Sequence, residues 1–211
     1  MQAGCGQRLQ NSRWLAGLRA GSIDVLTVTG LLQEKQPMDI DLDPSPALPA
    51  LPPLPDGRFS GATEFSELIR LAFASAASQG WRQIILSDVN FDDWPLGERA
   101  IAESLHDWSK TGRKLTMLAK SYDQVARRHA RFVTWRRTWA HLIDCRSNTA
   151  LSADDFPSAL WSPVWVFQRL DLARSTGISG AEPARRVSLK ERLDECLRRS
   201  SPAFPATVLG I

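Results

Sequence analysis

The sequence predicts an α/β fold with a mainly parallel sheet flanked by helices. Three observations predict it. Two short apolar runs, 82–89 and 114–119, end in polar residues and read as strands buried on both faces. Segments with apolar residues at helical spacing stand before, between and after them. Helices alternating with buried strands are the pattern of a helix-covered parallel sheet. At 211 residues the chain holds one ordinary domain and an extension.

Taken in order, residues 1–37 show little periodicity beyond one candidate strand, Ile23–Val28. That weak patterning predicts translation from Met38. "DPSPALPALPPLPDG" (43–57) then carries six prolines, and proline fixes φ and removes backbone donors. Residues 1–58 therefore read as a flexible N-terminal arm with an extended proline-rich linker, and 59–211 as a single α/β domain. In "TEFSELIRLAFASAASQG" (63–80), Phe65, Leu68, Ile69, Ala72, Phe73 and Ala76 share a helix face, Thr63 can cap and Gly80 can terminate. The strand over 82–89 follows. Residues 94–112 form the next helix, capped by Asp92 or Asp93, with Pro95 in its first turn and Ile101, Leu105 and Trp108 on its stripe. After the strand "KLTMLA", Ser121 and Gln124 make a capping box.

"RRHARFVTWRRTWAHLIDCR" (127–146) holds six arginines and one acid, Asp144. On a helix over 131–143, Phe132, Trp135, Trp139, Leu142 and Ile143 fall within about 100° of arc, which is a core face. A helix continuous from 121 would put Arg128 on that face, so a break is expected near His129-Ala130. A strand over 163–171 and a helix opened by the box "SLKE" (188–191) complete the list. The tail "SSPAFPATVLGI" is apolar, so Phe204, Val208, Leu209 and Ile211 are expected to dock on the domain or a second subunit.

Composition narrows the function. The net charge is only +3, with the basic excess in the middle of the chain, so any field for nucleic acid is local. Cys5, Cys145 and Cys196 form no C-x-x-C pair, and an odd count suits reduced thiols and a cytoplasmic location. No apolar run reaches the ~20 residues of a membrane span, and Arg8, Arg13 and Arg19 interrupt any signal-peptide core. G-x-S-x-G, the phosphate-binding G-x-x-x-x-G-K-[ST] and G-x-G-x-x-G are absent, and His106, His129 and His141 lack metal-ligand spacing. No cofactor or metal is expected.

Two strand ends remain as candidate sites, because open α/β sheets gather ligands at the carboxyl ends of their strands. "LSDVNFDDW" (86–94) offers Asp88 and Asp92, either as acid and base or as loop polarity with a helix cap. "LAKSYD" offers Lys120 beside a helix start, without a glycine cradle. Arg127, Arg131 and Arg137 either bind an anion with these carboxylates or lie in water along the helix.

Residues 65–119, from "FSELIRLAFASAASQG" to "RKLTMLA", resemble in layout one half of the phospholipase-D-like fold. "DDWPL", "RRHARFVTWRRTW" and "SPAFPATVLGI" look like a group of uncharacterised proteobacterial proteins of unknown function. The resemblance covers about 59–211. The enzymes of that fold carry H-x-K-x-x-x-x-D, with a histidine nucleophile and a phosphate-binding lysine. Here His129 is followed by Arg131 in the lysine position and Arg136 in the aspartate position, and His141 has no lysine after it. The resemblance thus implies a module without phosphodiesterase activity, accessory or binding, that holds a phosphate-bearing ligand through arginines; a homodimer through the tail or an edge strand is a further expectation. An enzyme acting on a phosphorylated small molecule or nucleic acid, and a nucleic-acid-binding module, are the alternatives.

Overall fold

A computed structural model describes residues 51–206, apart from Gly112. The candidate strand at 23–28, the start at Met38 and the tail residues Val208, Leu209 and Ile211 lie outside the described residues. The elements run β1 (Gly57–Phe59), α1 (Ala62–Gln79), β2 (Gln83–Asp88), α2 (Arg99–Ser109), β3 (Lys114–Ala119), α3 (Asp123–Arg128), α4 (Ala130–Thr138), β4 (Ile143–Ser147), β5 (Ser158–Trp161), β6 (Val166–Asp171), β7 (Thr176–Gly180), α5 (Pro183–Arg198) and β8 (Ser201–Pro202). The eight strands form one sheet in the order β1-β7-β6-β5-β2-β3-β4-β8.

The sheet is mixed and mostly antiparallel, which corrects the expectation of a mainly parallel one. Only β2–β3 and β3–β4 are parallel. The other five pairings are antiparallel. For β5–β6 and β6–β7 the reason is connection length. Helices α2 and then α3–α4 carry the chain between β2, β3 and β4. By contrast, residues 162–165 and 172–175 alone join β5 to β6 and β6 to β7. A parallel return needs a crossover of roughly a dozen residues, so four-residue links force antiparallel neighbours.

Alternation within the strands splits the core in two. Ile84, Leu86, Leu115, Met117, Ile143 and Phe167 face α1, α2 and α4, packing on Phe65, Phe73, Trp108 and Trp135. Ile85, Ala159, Trp161 and Val166 face Leu189 and Leu193 of α5. The proline-rich run ends inside this packing: Leu54 rests on the core and the Pro55 carbonyl accepts Trp165 Nε1 at 3.0 Å.

Several local readings shift by a turn. α1 is capped by Gly61 with no side-chain bond from Thr63, and Glu64 instead accepts Ser60 N–H at 2.7 Å. Gly80 closes it in the left-handed conformation, φ 70°. α2 starts at Arg99 rather than 94, because Asp92 and Asp93 are drawn into ion pairs and Trp94–Glu98 turns on itself. The break at His129 is present, its φ −115° separating α3 from α4. α4 ends at Thr138, and Ile143, expected as helix, opens β4. Ser121 bonds Asp123 rather than making a box with Gln124. α5 starts at Pro183, ahead of Ser188.

Candidate functional site

The carboxyl end of β2 is the polar centre of the molecule. Asp88 lies across from Ser158 of β5, which pairs with Arg169 of β6, so three neighbouring strands put their polar residues in one row. Asp88 Oδ2 accepts Ser158 Oγ and Arg169 Nη2, each at 2.6 Å. Its Oδ1 accepts the backbone N–H of Asn90 at 3.1 Å and of Phe91 at 2.9 Å, which shapes the loop and holds Phe91 at φ 57°. Arg169 also donates to Asp93 and to Ser158 Oγ, and its guanidinium sits 4.1 Å from the Phe65 ring centre. The side chains of Arg169 and Asp88 are 2% and 4% exposed, while Asp93 reaches water. Every acceptor position of Asp88 is thus occupied from within the chain, as a buried carboxylate requires.

The other predicted residues stand apart from that row. Asp92 is half-exposed and accepts Arg128 Nη1 at 2.6 Å, tying the loop to α3. Arg131 is exposed and donates to the Gly97 carbonyl at 3.0 Å. Arg127 and Arg137 are exposed and make no ion pair or hydrogen bond among the described residues. Arg131 and Arg137, six residues apart on α4, point about 120° from one another and sit about 9 Å apart along the axis. The structure therefore brings Asp88 and Arg169 together, and Asp92 and Arg128 together. Arg127, Arg131 and Arg137 share no hydrogen-bond partner among the described residues.

The remaining arginines of 127–146 hold the C-terminal segment. Arg136 is buried. It donates from Nε to Cys145 Sγ at 3.1 Å and from Nη2 to the Phe204 carbonyl, 4.5 Å over the Phe204 ring. Arg146 donates to Ser200 Oγ at 2.8 Å and to its carbonyl at 2.7 Å. Phe204 stacks on Tyr122 with ring centres 5.0 Å apart, so this part of the tail docks on the domain.

His129 is buried, and its Nε2 lies 2.8 Å from the Phe91 carbonyl. A carbonyl partner requires a proton on Nε2, so that nitrogen has no free lone pair. Burial pushes its pKa down, with Arg128 adding to the effect, against the Phe91 carbonyl and Asp92. The imidazole is neutral at pH 7, and the nitrogen that Nε2 chemistry would use is taken. Among the described residues, no group of three or more His, Cys, Asp or Glu is placed to hold a metal. Sequence reasoning missed Arg169. One signal was available: an arginine at the inward-facing, Phe167-side position of a strand needs a buried acid, and Asp88 ends an otherwise apolar run.

No protein-family model matches the chain, and no curated protein does. Solved structures do. TrmBL2, an archaeal chromatin protein whose structure shows a novel mode of DNA binding, is similar over 74% of this chain, with 15% identity and a TM-score of 0.54. The chain spans 57% of the length of that protein. Nuc of Salmonella typhimurium, a phospholipase D family member, aligns with 64% of this chain and 91% of its own, at 11% identity and a TM-score of 0.44. At such identities the likeness to the chromatin protein is one of fold.

Proposed function

We propose that the chain is a non-catalytic binding module, built on one phospholipase-D-like half, that holds a nucleic-acid backbone on the arginines of α3 and α4. The observation that carries this reading is the dispersal of Arg127, Arg131 and Arg137. All three are exposed and none pairs with an acid among the described residues, and Arg131 and Arg137 point about 120° apart along α4. One phosphate calls for convergent donors. Arginines spread along a helix suit a polymer, in which each meets a different phosphate. The shared fold with a DNA-binding chromatin protein agrees with this reading. Against an enzyme that would use Asp88 stands the closed set of hydrogen bonds around that carboxylate. A phosphodiesterase of the resembled type would need the lysine and aspartate that Arg131 and Arg136 replace.

The test is binding of duplex and single-stranded DNA and RNA as a function of salt. Affinity should fall as salt rises, whatever the base sequence. Changing Arg127, Arg131 and Arg137 together to Gln should flatten the log–log slope on duplex DNA by roughly 2.7, from about 0.9 per phosphate contact. Absence of binding at about 50 mM salt, or a slope untouched by the triple change, overturns the proposal.

A further inference from the structure

Helices α2 and α4 pack side by side and leave an open groove of about 500 Å³ between them. Its two tryptophans are held differently. Trp135 is 6% exposed, and its Nε1 donates to Ser109 Oγ at 3.0 Å. Trp139, just past the end of α4, is only half-buried. The rings of His106 and His141 each lie 5.9 Å from it. Three aromatic rings therefore meet at one end of the groove. Arg131 lines the other end, about 12 Å back along the helix axis. Its guanidinium gives one N–H to the Gly97 carbonyl and keeps the others for solvent or a ligand.

Charge and polarity select the occupant. No carboxylate lines this groove, whereas Glu64 and Glu67 line the cavity beside β1. The nearest acids of α2, Glu103 and Asp107, are already paired with Arg99 and Lys110. Thr134 and Thr138 line the wall between the rings and the cation. Their hydroxyls donate to the carbonyls of Ala130 and Thr134, at 3.0 and 3.3 Å. Each oxygen keeps a lone pair to accept from a ligand N–H. Aromatic surface, acceptors and a cation along one groove match the face, the edge and the phosphate of nucleotides. A partner helix would call for an apolar rim, and Arg131, His106 and the two threonines do not make one.

Resting on the nucleic-acid reading above, we propose that this groove takes an unpaired base of a single strand. The base stacks on Trp139 and His106, and a phosphate of the same strand meets Arg131. At about 3.4 Å per stacked nucleotide, the groove separates that base and that phosphate by three or four positions. A duplex hides its base faces in its own stack, so only a single strand fills the groove. Exposed arginines on a helix meet the phosphates of either form. The stacking end of the groove is what makes the chain prefer the single strand.

The probes are an oligothymidylate of about ten nucleotides and an abasic strand of the same length, which keeps the phosphates and lacks the bases. Each is titrated with the full chain by fluorescence anisotropy at several salt concentrations. The oligothymidylate should bind at least about fivefold more tightly, the lower end of what stacking one base contributes. That advantage should persist as salt rises, because stacking releases no counterions. Trp139→Ala should abolish it, and Trp139→Phe should keep most of it. His106→Ala, at an exposed position outside the core, should reduce it. Ultraviolet cross-linking of the oligothymidylate should mark the peptide that carries Trp139. Equal affinity for the two strands overturns the proposal and leaves the backbone reading standing. An advantage unchanged by His106→Ala, or one that survives Trp139→Ala, does the same. Binding to neither strand overturns both.

Discussion

Replacing Arg169 by methionine tests the polar row at the end of β2. The substitution keeps an unbranched side chain in the same place and removes the guanidinium. Asp88 is then left with two backbone N–H groups and Ser158 Oγ, its side chain 4% exposed and its counter-charge gone. Breaking a buried ion pair from one side costs about 3–5 kcal/mol. Loss of the cation over Phe65 adds about 0.5–1 kcal/mol. Asp93, half-exposed, recovers its hydration and adds little. Against a total stability of about 5–15 kcal/mol, the loss is large, and it lowers the melting temperature by about 10 °C or more in a domain of this size. Asp88→Asn leaves Arg169 with Asp93 and should cost less, about 1.5–3 kcal/mol. The double variant holds no unpaired buried charge, so its loss should fall short of the sum by about 1–3 kcal/mol. Denaturant unfolding of the four proteins measures this cycle. Additivity within about 0.5 kcal/mol, or an Arg169→Met protein within about 1 kcal/mol of the parent, refutes the assignment of the row as a coupled buried pair.

Gly177→Ala should cost more than about 3 kcal/mol in the same assay, because a Cβ there would stand 2.3 Å from the Gln168 carbonyl and 2.5 Å from the Phe59 ring, and the paired strand cannot move aside. Phe204→Ala should cost about 1–2 kcal/mol, through the lost stack on Tyr122 and the lost face under Arg136; an unchanged melting temperature would mean that the segment is not docked. His129 sets an acid limb. Its folded pKa lies below the ordinary 6.5, so above that pH both states carry it neutral, and below it only the unfolded chain gains the proton. Stability should fall as pH drops below 6.5, and His129→Gln, which keeps a donor for Phe91, should flatten that fall in pH-dependent unfolding. Tyr122 sets an alkaline limb. Burial raises its pKa above 10.0, so its contribution is intact below pH 10.0 and is withdrawn as the unfolded chain ionises above it; Tyr122→Phe should remove that dependence.

Local pattern made much of the fold legible. The apolar run of β3 coincides with the strand, and α1 and the break at His129 follow from spacing that a helix imposes on any sequence. β5 and β7 were not legible: "SALW" is four residues long, and "TGISG" carries two glycines at a close approach of strands, so neither shows an alternation strong enough to read. Without them the four-residue links could not be counted, and the sheet read as mainly parallel. The candidate site was legible in part for the same reason. Asp88 is conspicuous at the end of an apolar run, but its partner Arg169 is 81 residues away, and no local rule joins the two.

By itself the sequence determined the helix α1, the buried strands β2 and β3, the break at His129, and that His129 lacks the lysine and aspartate a phosphodiesterase motif requires. Each of these depends on residues within a few positions of one another, where periodicity and motif spacing operate. Only the tertiary structure decided the rest. It distinguished Arg136 and Arg169, locked in the interior, from Arg127, Arg131 and Arg137, left at the surface. It also closed Asp88 in hydrogen bonds from Asn90, Phe91, Ser158 and Arg169 and turned most of the sheet antiparallel. Arginine looks the same in any sequence, and what it does is settled by whether a distant acid, carbonyl or ring is packed against it.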